Sequence, residues 1–178
     1  GMHEGPLASR VAGVALIAAG FLVAGQEFNG SYLTGVMWAC TIALGGLFFP
    51  LVWRVTKAGW PVAARRHMEW LAGFLPLMFV LILPIVLQVH SIYEWSHDSM
   101  KDDPIVSKKL AWLSEGGFIT RAFIYIAIWN ALYFLFRHFS FKQDKTGEID
   151  LTLKAQWWSP PAIILFALSI SFAGFDWA

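Results

Sequence analysis

The sequence predicts an all-α, multi-pass transmembrane helical bundle of about five spanning helices, with the N-terminus in the cytoplasm. Three observations carry that expectation. Hydrophobic residues make up 57% of the 178-residue chain and charged residues only 14%, against about 45–50% and about 25% in an ordinary soluble domain. Mean hydropathy is +0.57. The apolar residues gather into long runs with no β-type alternation, and a helix rising about 1.5 Å per residue needs about 20 of them to cross a hydrocarbon core about 30 Å thick.

The runs follow one another along a single transmembrane domain, 1–178. The first, Arg10–Ala24, carries Ala8, Ala12, Ala15 and Ala19 at four-three-four spacing, a stripe of small side chains that a neighbouring backbone can approach closely. Because further runs follow, it is a span and not a cleaved secretory signal. A turn over Phe28–Ser31 leads into the second run, Tyr32–Val55, which holds Cys40. A lone cysteine excludes an intrachain disulfide and a CxxCH haem attachment, and this one is predicted to be a small buried hydrophobe. The third run, Trp70–Val89, contains Pro76 and Pro84, which should kink it, because proline removes a helical N–H and clashes with the preceding turn. The fourth run is Phe118–Phe136 and the fifth is Pro160–Ala178, with the mixed-charge stretch Lys142–Glu148 between them as a solvated connection. A glycine ahead of Met2 and an end at Asp176-Trp177-Ala178, on a spanning turn, predict a piece of a longer polypeptide.

Basic residues set the orientation. One set of flanks holds Arg10, Arg54, Lys57, Arg65, Arg66, Arg137, Lys142, Lys145 and Lys154, while the other holds only Lys101, Lys108 and Lys109 in a long loop. The richer side is assigned to the cytoplasm, and the chain ends outside. Tyr32, Trp53, Trp60, Trp70, Trp157 and Trp158 stand at run ends, where an interfacial aromatic belt would place them. A net charge of +1, with no basic run interleaved with aromatics, excludes a nucleic-acid partner.

Ionisable groups inside a bilayer are expensive, so those that remain become functional candidates. With this orientation Glu27, His90, Arg121 and Asp176 all fall at the outer level. If the helix continues past His90, then His90, Glu94 and His97 share a face at i, i+4, i+7. Imidazole titrates near neutral pH and a carboxylate can take up a released proton, so such a face suits proton exchange or contact with a quinol. An interfacial helix presenting polar residues to headgroups fits the same pattern. A metal site there is the weaker reading, lacking CxxC or HExxH spacing, and no second histidine in a spanning run opposes His90 across a haem. Arg121 and Asp176 lie just inside apolar runs, where together they can share the desolvation that each alone could not bear. That pair suits a structural role as well as a functional one. Asn130, Ser169 and Ser171 are expected to hydrogen-bond across helices, and Ser169 shares a face with Asp176.

The order of Leu75-Pro76-Leu77, Leu83-Pro84-Ile85, Tyr93-Glu94-Trp95-Ser96-His97, Thr120-Arg121-Ala122-Phe123-Ile124-Tyr125, Lys142-Gln143-Asp144-Lys145-Thr146-Gly147 and Ser171-Phe172-Ala173-Gly174-Phe175-Asp176-Trp177 resembles the first half of the ActF-type membrane subunit of alternative complex III. That subunit is related to the NrfD-like polysulfide-reductase membrane subunits. The resemblance spans about Arg65 to Ala178 and implies a subunit of a bacterial quinol:cytochrome c oxidoreductase in the inner (cytoplasmic) membrane. It implies partner membrane, haem and iron–sulfur subunits, menaquinol or ubiquinol as the complex's substrate, and no cofactor bound covalently by this chain. Tyr93, Glu94, His97, Arg121 and Asp176 are the matched positions, which with His90 form the quinone or proton-site candidates; none is assigned as catalytic. A secondary transporter or channel, or a purely structural anchor for extrinsic redox subunits, are the competing expectations. A transporter would call for broken helices and polar groups at mid-depth.

Overall fold

The computed structural model describes Gly13, Gly20 and residues 25–87 and 114–177. Apart from those two glycines, the first predicted span lies outside the described residues. Every regular element within them is helical: α1 (Gly25–Val55), α2 (Val62–Ala72), a 3₁₀ turn (Leu75–Leu77), α3 (Met78–Leu81), α4 (Leu83–Leu87), α5 (Glu115–Thr146) and α6 (Ile149–Trp177). Among the described residues four stretches are long and apolar enough to cross a membrane: Phe28–Val55, Ala64–Leu87, Glu115–Thr146 and Ile149–Trp177.

Three boundaries differ from the sequence expectation, each in favour of more helix. Phe28–Ser31 is not a turn but part of α1; Asn29 is buried there, and Tyr32 reaches across to donate its hydroxyl proton to the Leu81 carbonyl at 3.0 Å. Most of Lys142–Glu148 is helical as well, since α5 runs on to Thr146 and ends at Gly147. Gly147 adopts the left-handed φ of 68° and donates its N–H to the Gln143 carbonyl at 2.8 Å, a glycine C-cap that turns the chain into α6 within two residues. The third difference is at Pro160, which stands well inside α6 beside Pro161 and not at its start. Hydrophobic runs mark the stretch that sits in lipid, whereas the helices project beyond it as polar, exposed turns.

The kinks expected at the third run are present. Pro76 lies in the 3₁₀ turn and Pro84 in the first turn of α4, positions where a missing N–H is tolerated. At its other end α5 is fixed by Ser114, whose hydroxyl accepts from the Gly117 N–H at 3.3 Å, with Glu115 in the first turn, a favourable sign of charge for a helix N-terminus.

The α2–α4 rod and α6 both pack against α1, and α5 packs against α6 and the 3₁₀ turn. Gly46 marks the closest approach of α1 to α2: a Cβ there would stand 2.6 Å from the Ala72 backbone nitrogen. Small residues of this kind let packing and interhelical hydrogen bonds, in place of the hydrophobic effect, hold helices together in lipid. The buried seam is Ala43, Leu47, Leu51, Leu75, Ile126 and Trp129. Trp38, Leu87, Phe175 and many other large apolar side chains point outward, as expected of helices that are apolar on every side. Cys40 is buried, as its position predicted. Trp60, Trp70 and Trp157 are exposed at 78%, 80% and 74%, which suits interfacial anchors.

Candidate functional site

Two antiparallel stripes build the site. On α5, Arg121, Tyr125 and Trp129 recur at i, i+4, i+8 and so line one face. On α6, Ser169, Asp176 and Trp177 face them. Asp176 accepts Arg121 Nε at 2.8 Å on Oδ2 and Arg121 Nη2 at 3.1 Å on Oδ1, the bidentate form in which a guanidinium holds a carboxylate most strongly. The Tyr125 hydroxyl donates a further hydrogen bond to Oδ2 at 2.9 Å. The Asp176 side chain is only 2% exposed and that of Arg121 17%.

One turn deeper, Trp129 Nε1 donates to the Ser169 hydroxyl at 3.0 Å, and Ser169 in turn donates to the Phe166 carbonyl. The Trp177 ring stands edge-on to Tyr125 and Trp129, with centroids 6.2 and 5.7 Å away. Its indole Nε1 is buried and, among the described residues, has no hydrogen-bond partner, which is unusual for a buried donor. Beside this aromatic wall lies a cavity of about 690 Å³ between α1 and α6, lined by Met37, Cys40, Leu44 and Phe166 together with Trp129 and Trp177. The arrangement buries a carboxylate with its counter-cation, sets one hydroxyl on the carboxylate, and places the Trp177 ring in the wall of a largely apolar cavity.

The far end of the bundle carries a second ionic cluster. Glu69 Oε1 lies 3.5 Å from Arg54 Nη2 and 3.3 Å from Arg65 Nε. The Ser140 hydroxyl links them, donating to Glu69 Oε2 at 3.0 Å and accepting from Arg65 Nη2 at 2.8 Å. Midway between the two ends, Asn130 donates to the carbonyls of Leu75 and Ile126 at 3.2 and 2.8 Å, covering the break in the α2–α4 rod.

Of the residues singled out from sequence, the structure brings Arg121 and Asp176 into direct contact. Asn130 and Ser169 hydrogen-bond across helices as expected, whereas among the described residues Ser171 is exposed and donates to Ala167 of its own helix. His90, Tyr93, Glu94 and His97, and the side chain of Glu27, lie outside the described residues. Sequence reasoning passed over Tyr125, Trp129 and Glu69 as site residues. The first two were marked by their i, i+4, i+8 spacing from Arg121, and Glu69 by its place four residues after Arg65, the spacing of a helical ion pair. Among the described residues no group of three or more histidines, cysteines and carboxylates is placed to hold a metal ion. No protein-family model matches the chain, and comparison with curated proteins returns no match.

Proposed function

We propose that this chain is a membrane subunit of a bacterial respiratory quinol:cytochrome c oxidoreductase complex of the ActF type, contributing to quinol binding, proton transfer or both while partner haem and iron–sulfur subunits carry the electrons. On this reading it sits in the inner membrane with its N-terminus cytoplasmic, Arg10–Ala24 forms a fifth span, and Asp176 lies toward the outer face. The observation that carries the proposal is the buried Arg121–Asp176–Tyr125 cluster beside an aromatic-walled cavity. Quinol oxidation releases protons, and a carboxylate bearing a tyrosine hydroxyl offers a place to receive one near the hydrocarbon boundary. The apolar cavity wall, which includes the Trp129 and Trp177 rings, suits an isoprenoid tail.

A transporter has one observation in its favour, the interrupted rod at Leu75–Leu77 with Asn130 set against it. Against it, no charged residue lies within 28–53, 70–89, 122–136 or 155–175, where coupling ions would need ligands. Asp176→Asn in the intact complex separates the readings. A fall in quinol oxidation of about 100-fold, the scale of a lost proton-transfer group, with partner subunits still assembled, supports the proposal. Unchanged oxidation with normal assembly leaves the chain as a structural anchor.

A further inference from the structure

The end of the bundle opposite Asp176 holds a hollow that the proposed redox role does not use. Arg54 from the last turn of α1, Arg65 from α2, Ser140 and Gln143 from α5, and Thr152 and Gln156 from α6 line a cavity of about 100 Å³. One water needs about 10–15 Å³ of such space, so a polar group of several non-hydrogen atoms fits. A groove of about 670 Å³ shares Arg54 and Gln156 in its wall and runs on past Lys57, Leu153, Trp157 and Pro161.

The charges around these hollows do not balance. Among the described residues a single carboxylate, Glu69, serves both guanidiniums, and its contact with Arg54 at 3.5 Å lies beyond ordinary hydrogen-bond length. The Arg54 side chain is nevertheless only 12% exposed, and its guanidinium lies 5.0 Å from the centre of the Phe136 ring. It therefore keeps N–H donors for another acceptor in a place poor in water. Among the described residues exposed Lys57 adds a second unbalanced cation, and no acidic residue lines either hollow. The groove continues the basic cavity with apolar and aromatic wall, Val55, Leu153 and Trp157 being exposed there, at the level of the Trp60 and Trp158 anchors. A ligand matched to this sequence of surfaces is anionic at one end and hydrocarbon at the other.

We infer that this end of the bundle binds an anionic phospholipid, its phosphate between Arg54, Lys57 and Gln156 and an acyl chain along the groove beside Leu153, Trp157 and Pro161. Basic pockets between spanning helices attract such headgroups through the same combination of local charge and low dielectric. The site does not depend on the redox reading and stands or falls separately from it.

The test uses the 178-residue chain in detergent micelles, with native mass spectrometry counting bound lipid during titration with dioleoyl-phosphatidylglycerol, dioleoyl-phosphatidylcholine or inorganic phosphate. One phosphatidylglycerol should be retained and phosphatidylcholine should not. Arg54→Gln should abolish retention, but it also unsettles Glu69, so Lys57→Asn with Gln156→Leu is the variant that leaves the buried ion network whole. It should weaken phosphatidylglycerol binding at least about fivefold, the scale of one basic residue near an anionic headgroup, with the melting temperature without lipid unchanged. Equal retention of phosphatidylcholine, or phosphatidylglycerol binding untouched in the double variant, overturns the inference. Displacement of the lipid by inorganic phosphate at comparable concentration overturns the membrane source and assigns the site to a soluble phosphate.

Discussion

The two ends of this bundle bury a carboxylate against arginine in different ways. Asp176 has one guanidinium in bidentate contact at 2.8 and 3.1 Å, a tyrosine hydroxyl, and a side chain 2% exposed. Glu69 is shared between two guanidiniums at 3.3 and 3.5 Å, leans on a serine, and is 14% exposed. The first cluster seats one guanidinium in register on one carboxylate that has almost no exposure; among the described residues the second has a positive charge to spare and opens onto a groove. A matched pair holds its geometry and suits a site where one proton or one hydrogen bond matters. A surplus of charge at a rim recruits an outside partner. The same residue types thus do two jobs because of stoichiometry and exposure.

The largest effect expected from breaking that contrast is at the sealed end. Asp176→Ala removes the buried carboxylate that holds Arg121 by two hydrogen bonds and should destabilise the chain by about 3–5 kcal/mol, read as a shift of the unfolding transition in mixed micelles. Replacing both partners, Arg121→Leu with Asp176→Leu, should recover most of that loss because the two charges leave together. On the proposed reading, quinol oxidation by the intact complex should stay low in the double variant, which distinguishes a site from a brace. At the open end Glu69→Gln should lower stability less, by about 1–3 kcal/mol, since the amide can still accept from the Ser140 hydroxyl and Arg65 is 31% exposed. Added phosphatidylglycerol should then restore part of the loss in Glu69→Gln and none of it in Asp176→Ala. Trp129→Phe keeps the ring stack and removes only the N–H donated to Ser169, an expected loss of about 1 kcal/mol in the same unfolding measurement. Smallest is Arg66→Ala: its 2.7 Å pair with Asp144 joins side chains 55% and 32% exposed, and such surface pairs contribute about 0–1 kcal/mol.

Much of the fold was legible because bilayer thickness acts directly on sequence. Runs of apolar residues marked where four long helices lie, and Pro76 and Pro84 marked where one of them breaks. The ends were misread for a related reason. Hydropathy reports the depth at which a residue sits and not whether its backbone is helical, so Asn29-Gly30, Lys142-Gln143-Asp144 and Pro160-Pro161 looked like boundaries while the helix ran through them. The candidate site was half legible. Arg121 and Asp176 stood out as charges at the edge of apolar runs, 55 positions apart in sequence. Tyr125 and Trp129 did not, because aromatic residues in a spanning helix are ordinary and acquire a role only from what faces them.

By itself the sequence determined that this chain is helical, that it has long stretches able to cross a bilayer, about five by its own reading and four among the described residues, and that its charges gather at their ends, since each of these follows from the free energy of single residues in hydrocarbon. Which charges meet was decided by tertiary structure alone. The pairing of α5 with α6, the close approach at Gly46, and the choice of Arg54 and Arg65 for Glu69 depend on how surfaces fit. Fit is a property of two segments together, and no single segment carries it.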